Sequence, residues 1–199
     1  MIKTIVFDIG RVLIGFEWDE YGESLFDVET AAAVKSATFG GPHWKEQDRG
    51  VLETERIHND MVDIAPHYET EIRTALDKVG ECTTRKSYAI PWIESLKAQG
   101  YQVLYLSNYS DFVRGKSTHA LDFLDYMDGG VFSYKEKCIK PDREIYEILF
   151  RRYDLDPTEC VFIDDSEPNI VAARELGMKG IVFENYEQAA KELAEMLAK

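Results

Sequence analysis

Six side chains that could take part in catalysis or ligand binding lie next to apolar segments of this 199-residue chain. They are Asp8, Ser107, Asn108, Asp164, Asp165 and Lys140, the last directly before Pro141. Ligands of open α/β sheets bind beyond the carboxyl ends of the strands, so these side chains are expected to converge if the apolar segments are parallel strands. Three acids crowded together cannot all stay ionised without a cation.

The chemistry that this set suits is phosphoryl transfer. Oxygen ligands favour a hard cation, and Mg²⁺ is commonly held by one or two carboxylates together with phosphate and water. Ser107 and nearby free N–H groups could bind phosphate oxygens, with Lys140 as a point charge. An aspartate such as Asp8 is a competent nucleophile toward phosphorus and would give an aspartyl-phosphate.

Each of these residues also has an ordinary structural interpretation. Asp8 alone would be a turn or helix cap, and Ser107 with Asn108 would be another cap. Asp164 and Asp165 alone would be an acidic pair facing a helix dipole. The functional hypothesis gains weight because all of them stand at corresponding ends in a series of strands and helices.

The elements that must position these residues follow an alternating pattern. Four short apolar segments predict buried strands, at 2–7, 102–106, 160–163 and 180–183. Helical patterns precede the last three at 91–99, 142–152 and 168–176, and a final helix is predicted from residue 186 to 198. Strands that alternate with helices indicate an α/β fold with a doubly wound, Rossmann-like parallel sheet.

One region interrupts this alternation. Between about residues 18 and 86 the sequence predicts helices at 31–38, 53–64 and 69–79 and no convincing buried strand. We therefore predict a core of residues 1–15 and 87–199 with a helical cap insertion of residues 16–86. Gly15 and residues 83–86 are the predicted hinges.

The composition of the chain limits the classes of partner that we expect it to bind. The formal net charge of −14 repels nucleic acids and anionic membranes, so neither is expected, whereas a small phosphorylated metabolite is compatible. The three cysteines lack metal-site spacing and are expected to be reduced thiols of a cytoplasmic protein. The apolar start is broken by Asp8, so no signal peptide is expected. We expect a monomer or a weak homodimer.

Four segments resemble, in order, the motifs of the haloacid dehalogenase-like hydrolases. They are residues 7–13 (FDIGRVL), 106–108 (LSN), 140–141 (KP) and 163–166 (IDDS). The helical insertion is similar to the small cap of that superfamily's first subgroup. The Asp-x-Gly of the first motif, residues 105–110 and residues 48–50 resemble the branch with α-D-glucose-1-phosphate phosphatase and the N-terminal phosphatase of epoxide hydrolase.

This resemblance implies a role for each matching position. Asp8 would be the nucleophile and a Mg²⁺ ligand, and the carbonyl of Gly10 would complete the contacts of the ion on that strand. Asp165 would bind the ion directly and Asp164 through water. The remaining candidates would bind the phosphoryl group or the substrate: Ser107, Asn108, Lys140, Arg11 and Arg49, with Lys140 also offsetting the charge on Asp8.

Gly10 departs from the pattern of most phosphatases in this superfamily, which carry a second aspartate two residues after the nucleophile. That acid protonates the leaving group and then activates water, and its loss costs roughly 10²–10⁴ in rate. Arg11 cannot replace it, since guanidinium keeps its proton. His43, Glu17 or Asp19 of the cap could supply the group, the leaving group could need little help, or turnover could be weak.

Other classes stay open on sequence alone. A metal-independent 2-haloacid dehalogenase would share the aspartate, the hydroxyl and the lysine, although Asp164 and Asp165 would repel an anionic haloacid. A phosphomutase is disfavoured by Gly10, and a phosphate-ligand binder without turnover is not excluded. Four cap residues are candidates to face the site, namely His43, Trp44, Asp48 and Arg49.

Overall fold

A five-stranded parallel sheet forms the centre of the molecule, and the computed structural model describes residues 1–198. Strands are numbered in chain order, and the sheet order is β5-β4-β1-β6-β7. The strands are β1 (Thr4–Phe7), β4 (Gln102–Ser107), β5 (Gly129–Phe132), β6 (Cys160–Asp164) and β7 (Lys179–Val182). β1 pairs in parallel with both β4 and β6, so it lies centrally. The predicted doubly wound α/β fold is confirmed.

Helices cover both faces of the sheet, which is why the central strands are apolar through most of their length. Ile5 and Phe7 of β1 pack into one core layer, whereas Val6 packs into the other. The first layer is covered by α6 (Ala89–Ala98), α7 (Asp111–Lys116) and α11 (Tyr186–Leu197), and the second by α9 (Arg143–Tyr153) and α10 (Glu167–Glu175). The short α8 (Ser133–Glu136) follows β5.

Strand β5 was not predicted from the sequence. It is four residues long, and Gly129 and Gly130 make up half of it. Glycine is depleted in strands, so the segment carries no strand signal of its own. Pairing with Leu104, Tyr105, Leu106 and Ser107 of β4 makes it an edge strand.

The inserted region is a separate helical layer joined to the sheet by a two-stranded ribbon. β2 (Ile14–Phe16) pairs antiparallel with β3 (Thr83–Arg85), a short strand that the sequence did not predict. Between them lie α1 (Trp18–Leu25), α2 (Val28–Ala37), α3 (Trp44–Arg49), α4 (Thr54–Ile64) and α5 (Glu69–Asp77). The boundaries at 15/16 and 86/87, and the hinges there, stay predictions.

The helical layer has its own hydrophobic cluster. Its largest buried members come from four of the five helices: Trp18, Val34, Ile57, Met61, Ile72 and Leu76. Cys82 joins this cluster, and the three cysteines are free and buried. Among residues 1–198, no helix is both long enough and apolar enough to cross a membrane.

We predict that Gly80→Ala destabilises the protein by about 1–3 kcal/mol through overpacking. Gly80 is buried beside α7, and an added Cβ would overlap the main-chain carbonyl of Lys116. The free energy of unfolding, measured with urea, tests this.

Gly115→Ala in α7 is the matched control, since an added Cβ there meets no atom within 4 Å. It should be neutral or stabilise by up to roughly 1 kcal/mol, because alanine favours a helix over glycine. Equal stability of the two variants would contradict the packing described for Gly80.

Candidate active site

Asp8 lies directly beyond the carboxyl end of β1. Its N–H donates to the carbonyl of Ile163 at 2.8 Å, which continues the pairing of β1 with β6. The carboxylate oxygen Oδ1 accepts from the N–H of Ile9 at 2.7 Å and lies 2.8 Å from Lys140 Nζ. No hydrogen bond to Oδ2 is found in residues 1–198, so one oxygen of this buried carboxylate remains available to a ligand.

Lys140 is the cation at the centre of the site. Its side chain is 1% exposed, and Nζ lies 2.8 Å from Asp8 Oδ1 and 2.7 Å from Asp164 Oδ2. The same nitrogen donates to the carbonyl of Leu106 at 2.8 Å. All three N–H bonds of the ammonium group therefore have acceptors, as a buried charge requires.

Asn108 holds the segment that carries Lys140. Its Oδ1 accepts from the N–H of Lys140 at 2.8 Å, and its Nδ2 donates to the carbonyl of Lys140 at 3.0 Å. The amide of Asn108 thus positions the lysine, and its predicted contact with phosphate stays a prediction.

Asp164 and Asp165 end β6 in different environments. Asp164 is fully buried and accepts from Lys140, from the N–H of Ser166 at 2.7 Å and from Asn169 Nδ2 at 3.0 Å. The Asp165 side chain is 28% exposed and lies 3.8 Å from the guanidinium of Arg11. Asn169 was not identified from the sequence, although its position in the first turn of α10, after this acidic pair, was a usable signal.

The three aspartates form a compact group of oxygen ligands. One carboxylate oxygen from each of Asp8, Asp164 and Asp165 lies within 4.8 Å of the others. Three carboxylates outnumber the single buried ammonium group of Lys140, so the site carries an excess of negative charge. An all-oxygen set with excess negative charge fits a hard divalent cation such as Mg²⁺.

The pKa values of the site residues reflect burial and the short distances between their charged groups. Burial raises the pKa of Asp8 to about 7, with Asp164 adding to the effect and Lys140 opposing it. Burial also raises the pKa of Asp165. For Lys140, burial lowers the pKa, but the charges of Asp164 and Asp8 outweigh burial and the pKa is raised. Lys140 is therefore a permanent cation at physiological pH.

Ser107 ends β4 beside these charges. The residue is fully buried, and its Oγ has no hydrogen-bond partner in the described structure. An unpaired buried hydroxyl costs about 1–3 kcal/mol, and a ligand oxygen that accepted from Ser107 would remove this cost. Ser107 therefore fits the phosphate-binding role predicted from its position.

Gly10 and Arg11 turn the chain away from β1. An added Cβ at Gly10 would meet no atom within 4 Å apart from those of its chain neighbours, so there is open space next to Gly10. Arg11 has a φ of 59°, and its side chain is 73% exposed and paired only with Asp165. Its predicted contact with phosphate stays a prediction.

The cap residues singled out from the sequence take separate places. Trp44 packs edge-to-face against Phe39 in the cap, with 5.0 Å between ring centroids, and Arg49 pairs with Asp142 of the core at 3.2 Å. Burial and, to a lesser extent, the charge of Asp8 raise the pKa of Asp48 to about 7.

Two other acids proposed for the cap are already paired at exposed positions. Glu17 lies 3.0 Å from Lys86 and Asp19 lies 2.5 Å from Lys35. His43 is the residue that precedes α3 and makes no capping hydrogen bond through its side chain. Of the candidates for the missing acid, Glu17 and Asp19 are thus engaged elsewhere.

Known proteins similar to this chain include two phosphatases. A D-ribitol-5-phosphate phosphatase of Bacteroides thetaiotaomicron is 26% identical, with 99% of each chain covered. A sesquiterpene phosphatase of Aspergillus oryzae is also 26% identical, over 90% of this chain and 88% of that protein.

A crystal structure shows the same fold. A haloacid dehalogenase family enzyme of B. thetaiotaomicron, solved with magnesium and inorganic phosphate, superposes with a TM-score of 0.72 at 22% identity and covers 95% of this chain and 99% of its own. The family model of the haloacid dehalogenase-like hydrolases matches residues 2–177. With that match over most of its length, the chain belongs to the haloacid dehalogenase-like hydrolases.

Proposed function

We propose that this protein is a Mg²⁺-dependent phosphatase that hydrolyses a small phosphate monoester through an aspartyl-phosphate on Asp8. One observation carries the proposal: a buried aspartate with one engaged oxygen and one available oxygen lies in a group of three carboxylates around a single lysine. The phosphatase activity of the two relatives supports it.

The residues of the chain divide the reaction between them. Asp8 Oδ2 would attack phosphorus, while Lys140 and the N–H of Ile9 hold Oδ1 and so fix the direction of the free oxygen. Ser107 would donate to a phosphoryl oxygen and thereby gain the partner that it lacks. Asp8, Asp165 and the carbonyl of Gly10 would hold Mg²⁺, with Asp164 beside them. When bound, the ion supplies positive charge opposite the phosphate oxygens.

Asp164 has a second role in this account. Its contacts with Lys140, Ser166 and Asn169 saturate most of its acceptor sites. It therefore holds the lysine in place, which fits contact with the ion through water. Asp165 is more exposed and less engaged, which fits direct binding.

The substrate class follows from phosphate recognition at the sheet and selection by the cap. The core residues recognise only the phosphoryl group, and the two relatives act on a polyol phosphate and on a sesquiterpene phosphate. Cap residues must therefore recognise the organic part of the substrate. A small phosphorylated metabolite, such as a sugar phosphate, is our proposal for this chain.

A haloacid dehalogenase reaction is the weaker alternative. It would also use an aspartate nucleophile, but the excess negative charge from Asp164 and Asp165 would repel an anionic haloacid in the absence of a cation. Activity that survives EDTA would favour it.

We predict phosphate release from a panel of phosphate monoesters that depends on Mg²⁺ and on Asp8. EDTA should abolish release, and Asp8→Asn should lower the rate by about 10³-fold or more, because the nucleophile is lost. A continuous phosphate assay measures both effects.

Asp63→Asn is the matched control, since Asp63 is an exposed acid of α4. It should retain the wild-type rate. Equal phosphate release from the wild type and from Asp8→Asn would refute the role of Asp8.

We also predict a pH-dependent stability difference between the wild type and Asp8→Asn in EDTA. The folded-state pKa of Asp8 is raised from 3.8 to about 7, so the unfolded chain loses this proton first. The contribution of Asp8 to stability is therefore present below about pH 4 and declines as the pH rises to about 7. The wild type should lose more stability than Asp8→Asn between pH 5 and pH 8.

Saturating Mg²⁺ at pH 8 should reverse this loss in the wild type. A ligand at 100 times its Kd stabilises a protein by about 2.7 kcal/mol. The variant should gain much less, because it lacks one carboxylate of the site. The predicted charge balance would be contradicted if the stability of the wild type and of Asp8→Asn changed equally with pH in EDTA. Equal stabilisation of the two proteins by Mg²⁺ would also contradict it.

A further inference from the structure

The candidate site has a nucleophile but no proton donor of its own for the leaving group. Asp164 and Lys140 are committed to each other, and Gly10 has no side chain. The space around Gly10 is open, with no atom within 4 Å of an added Cβ. The group that protonates the leaving oxygen must therefore come from another element.

One segment of the cap that contacts the core is 47–50, in α3 and just after it. Each of these four residues makes a hydrogen bond or an ion pair with the core. In chain order the partners are Ser110, Ser133, Asp142 and Lys137, at 3.3, 2.6, 3.2 and 2.5 Å.

One of these contacts links Asp48 to the segment that follows β4, the strand that ends in Ser107. The hydroxyl of Ser133 donates to the main-chain carbonyl of Asp48 at 2.6 Å and accepts from the N–H of Tyr109 at 2.9 Å. Tyr109 stands two residues after Ser107. The hydroxyl of Ser133 therefore bridges the main chain of Asp48 and the main chain of Tyr109, just after β4.

The carboxylate of Asp48 is partly buried and is not committed elsewhere. No hydrogen bond or ion pair of its side chain is found in residues 1–198, whereas Arg49 and Gln47 on either side of it both contact the core. Its pKa, raised by burial and by Asp8, is in the range that suits proton transfer near neutral pH. The hydroxyl of Tyr109, by contrast, is bonded to Ser117.

We propose that Asp48 of the cap is the general acid and base of the reaction and takes the role for which Gly10 has no side chain. This proposal rests on the function proposed above. It assigns a catalytic residue to α3 and makes the proton donor available only when the cap is docked on the core.

The proton and bond changes balance over two steps. Asp8 attacks phosphorus, the bond from phosphorus to the leaving oxygen breaks, and protonated Asp48 gives its proton to that oxygen, which leaves as an alcohol. Ionised Asp48 then takes a proton from water while the water oxygen attacks the phosphorus of the aspartyl-phosphate. The bond between phosphorus and Asp8 breaks, so inorganic phosphate leaves and both aspartates return to their starting states.

The test compares two leaving groups in Asp48→Asn. With an alkyl phosphate such as ribitol 5-phosphate, kcat should fall by roughly 10²–10⁴-fold, because the alcohol needs a proton as it leaves. With p-nitrophenyl phosphate the first step needs little help. The variant should therefore release a rapid burst of nitrophenol equal to the enzyme concentration and then turn over slowly, because water is no longer activated.

Rescue variants separate catalysis from structure. Asp48→Glu should recover part of the rate, and Gly10→Asp in the Asp48→Asn background should raise the alkyl phosphate rate at least about tenfold. Asp63→Asn should behave as the wild type. The thermal unfolding midpoint of each variant checks that it is folded.

Two results would overturn the role of Asp48. One is an alkyl phosphate rate within about threefold of the wild type in Asp48→Asn. The other is an equal loss with both substrates and no burst, which would assign Asp48 to cap docking alone. Neither result touches the proposed function, which fails only if the wild type itself shows no turnover that depends on Asp8.

Discussion

The ammonium group of Lys140, buried between Asp8 and Asp164, is the interaction on which the site depends. A charge this deeply buried is tolerated only when it is paired and hydrogen-bonded, and breaking such a pair typically costs about 3–5 kcal/mol. β1 brings Asp8 to the pair, and β6 beside it brings Asp164. Asn108, at the end of β4, fixes the main chain of the lysine. Three neighbouring strands are thus joined by one cation.

The same interaction explains why the site suits a phosphate and a metal ion. Lys140 neutralises only part of the charge of three aspartates, and the remainder raises the pKa of Asp8 and of Asp165, together with burial. A divalent cation would relieve this excess. Ser107 adds a buried hydroxyl without a hydrogen-bond partner in residues 1–198. A phosphate oxygen could accept from this hydroxyl, while Mg²⁺ would offset the negative charge.

Much of this arrangement could be predicted from the sequence. The central strands are continuous apolar segments that end in polar residues, so strand ends and site residues were found together. Strand β5 was not predicted because half of its residues are glycine. The contact of Asn108 with the Lys140 main chain was not predicted because the sequence does not show which backbone groups a side-chain amide will bind. Asp48 was predicted as one of four cap residues that could face the site, but its contact with Ser133 of the core depends on segments far apart in sequence.

The cap and the core therefore carry different parts of the proposed reaction. The core holds the nucleophile and the phosphate, and the cap brings the proton donor and the surface that reads the organic group. In this view the missing side chain at Gly10 does not prevent turnover, because Asp48 of the cap supplies the proton. Turnover, as well as substrate selection, would then require the cap.

Trapping the phosphoenzyme tests the central claim most directly. The protein would be mixed with Mg²⁺ and ³²P-labelled substrate, quenched in acid within milliseconds, digested and mapped by mass spectrometry. The account predicts label on the peptide that contains Asp8, at a level that rises in Asp48→Asn and is absent in Asp8→Asn. Label on a different residue, or phosphate release with no labelled enzyme at any time, would contradict it.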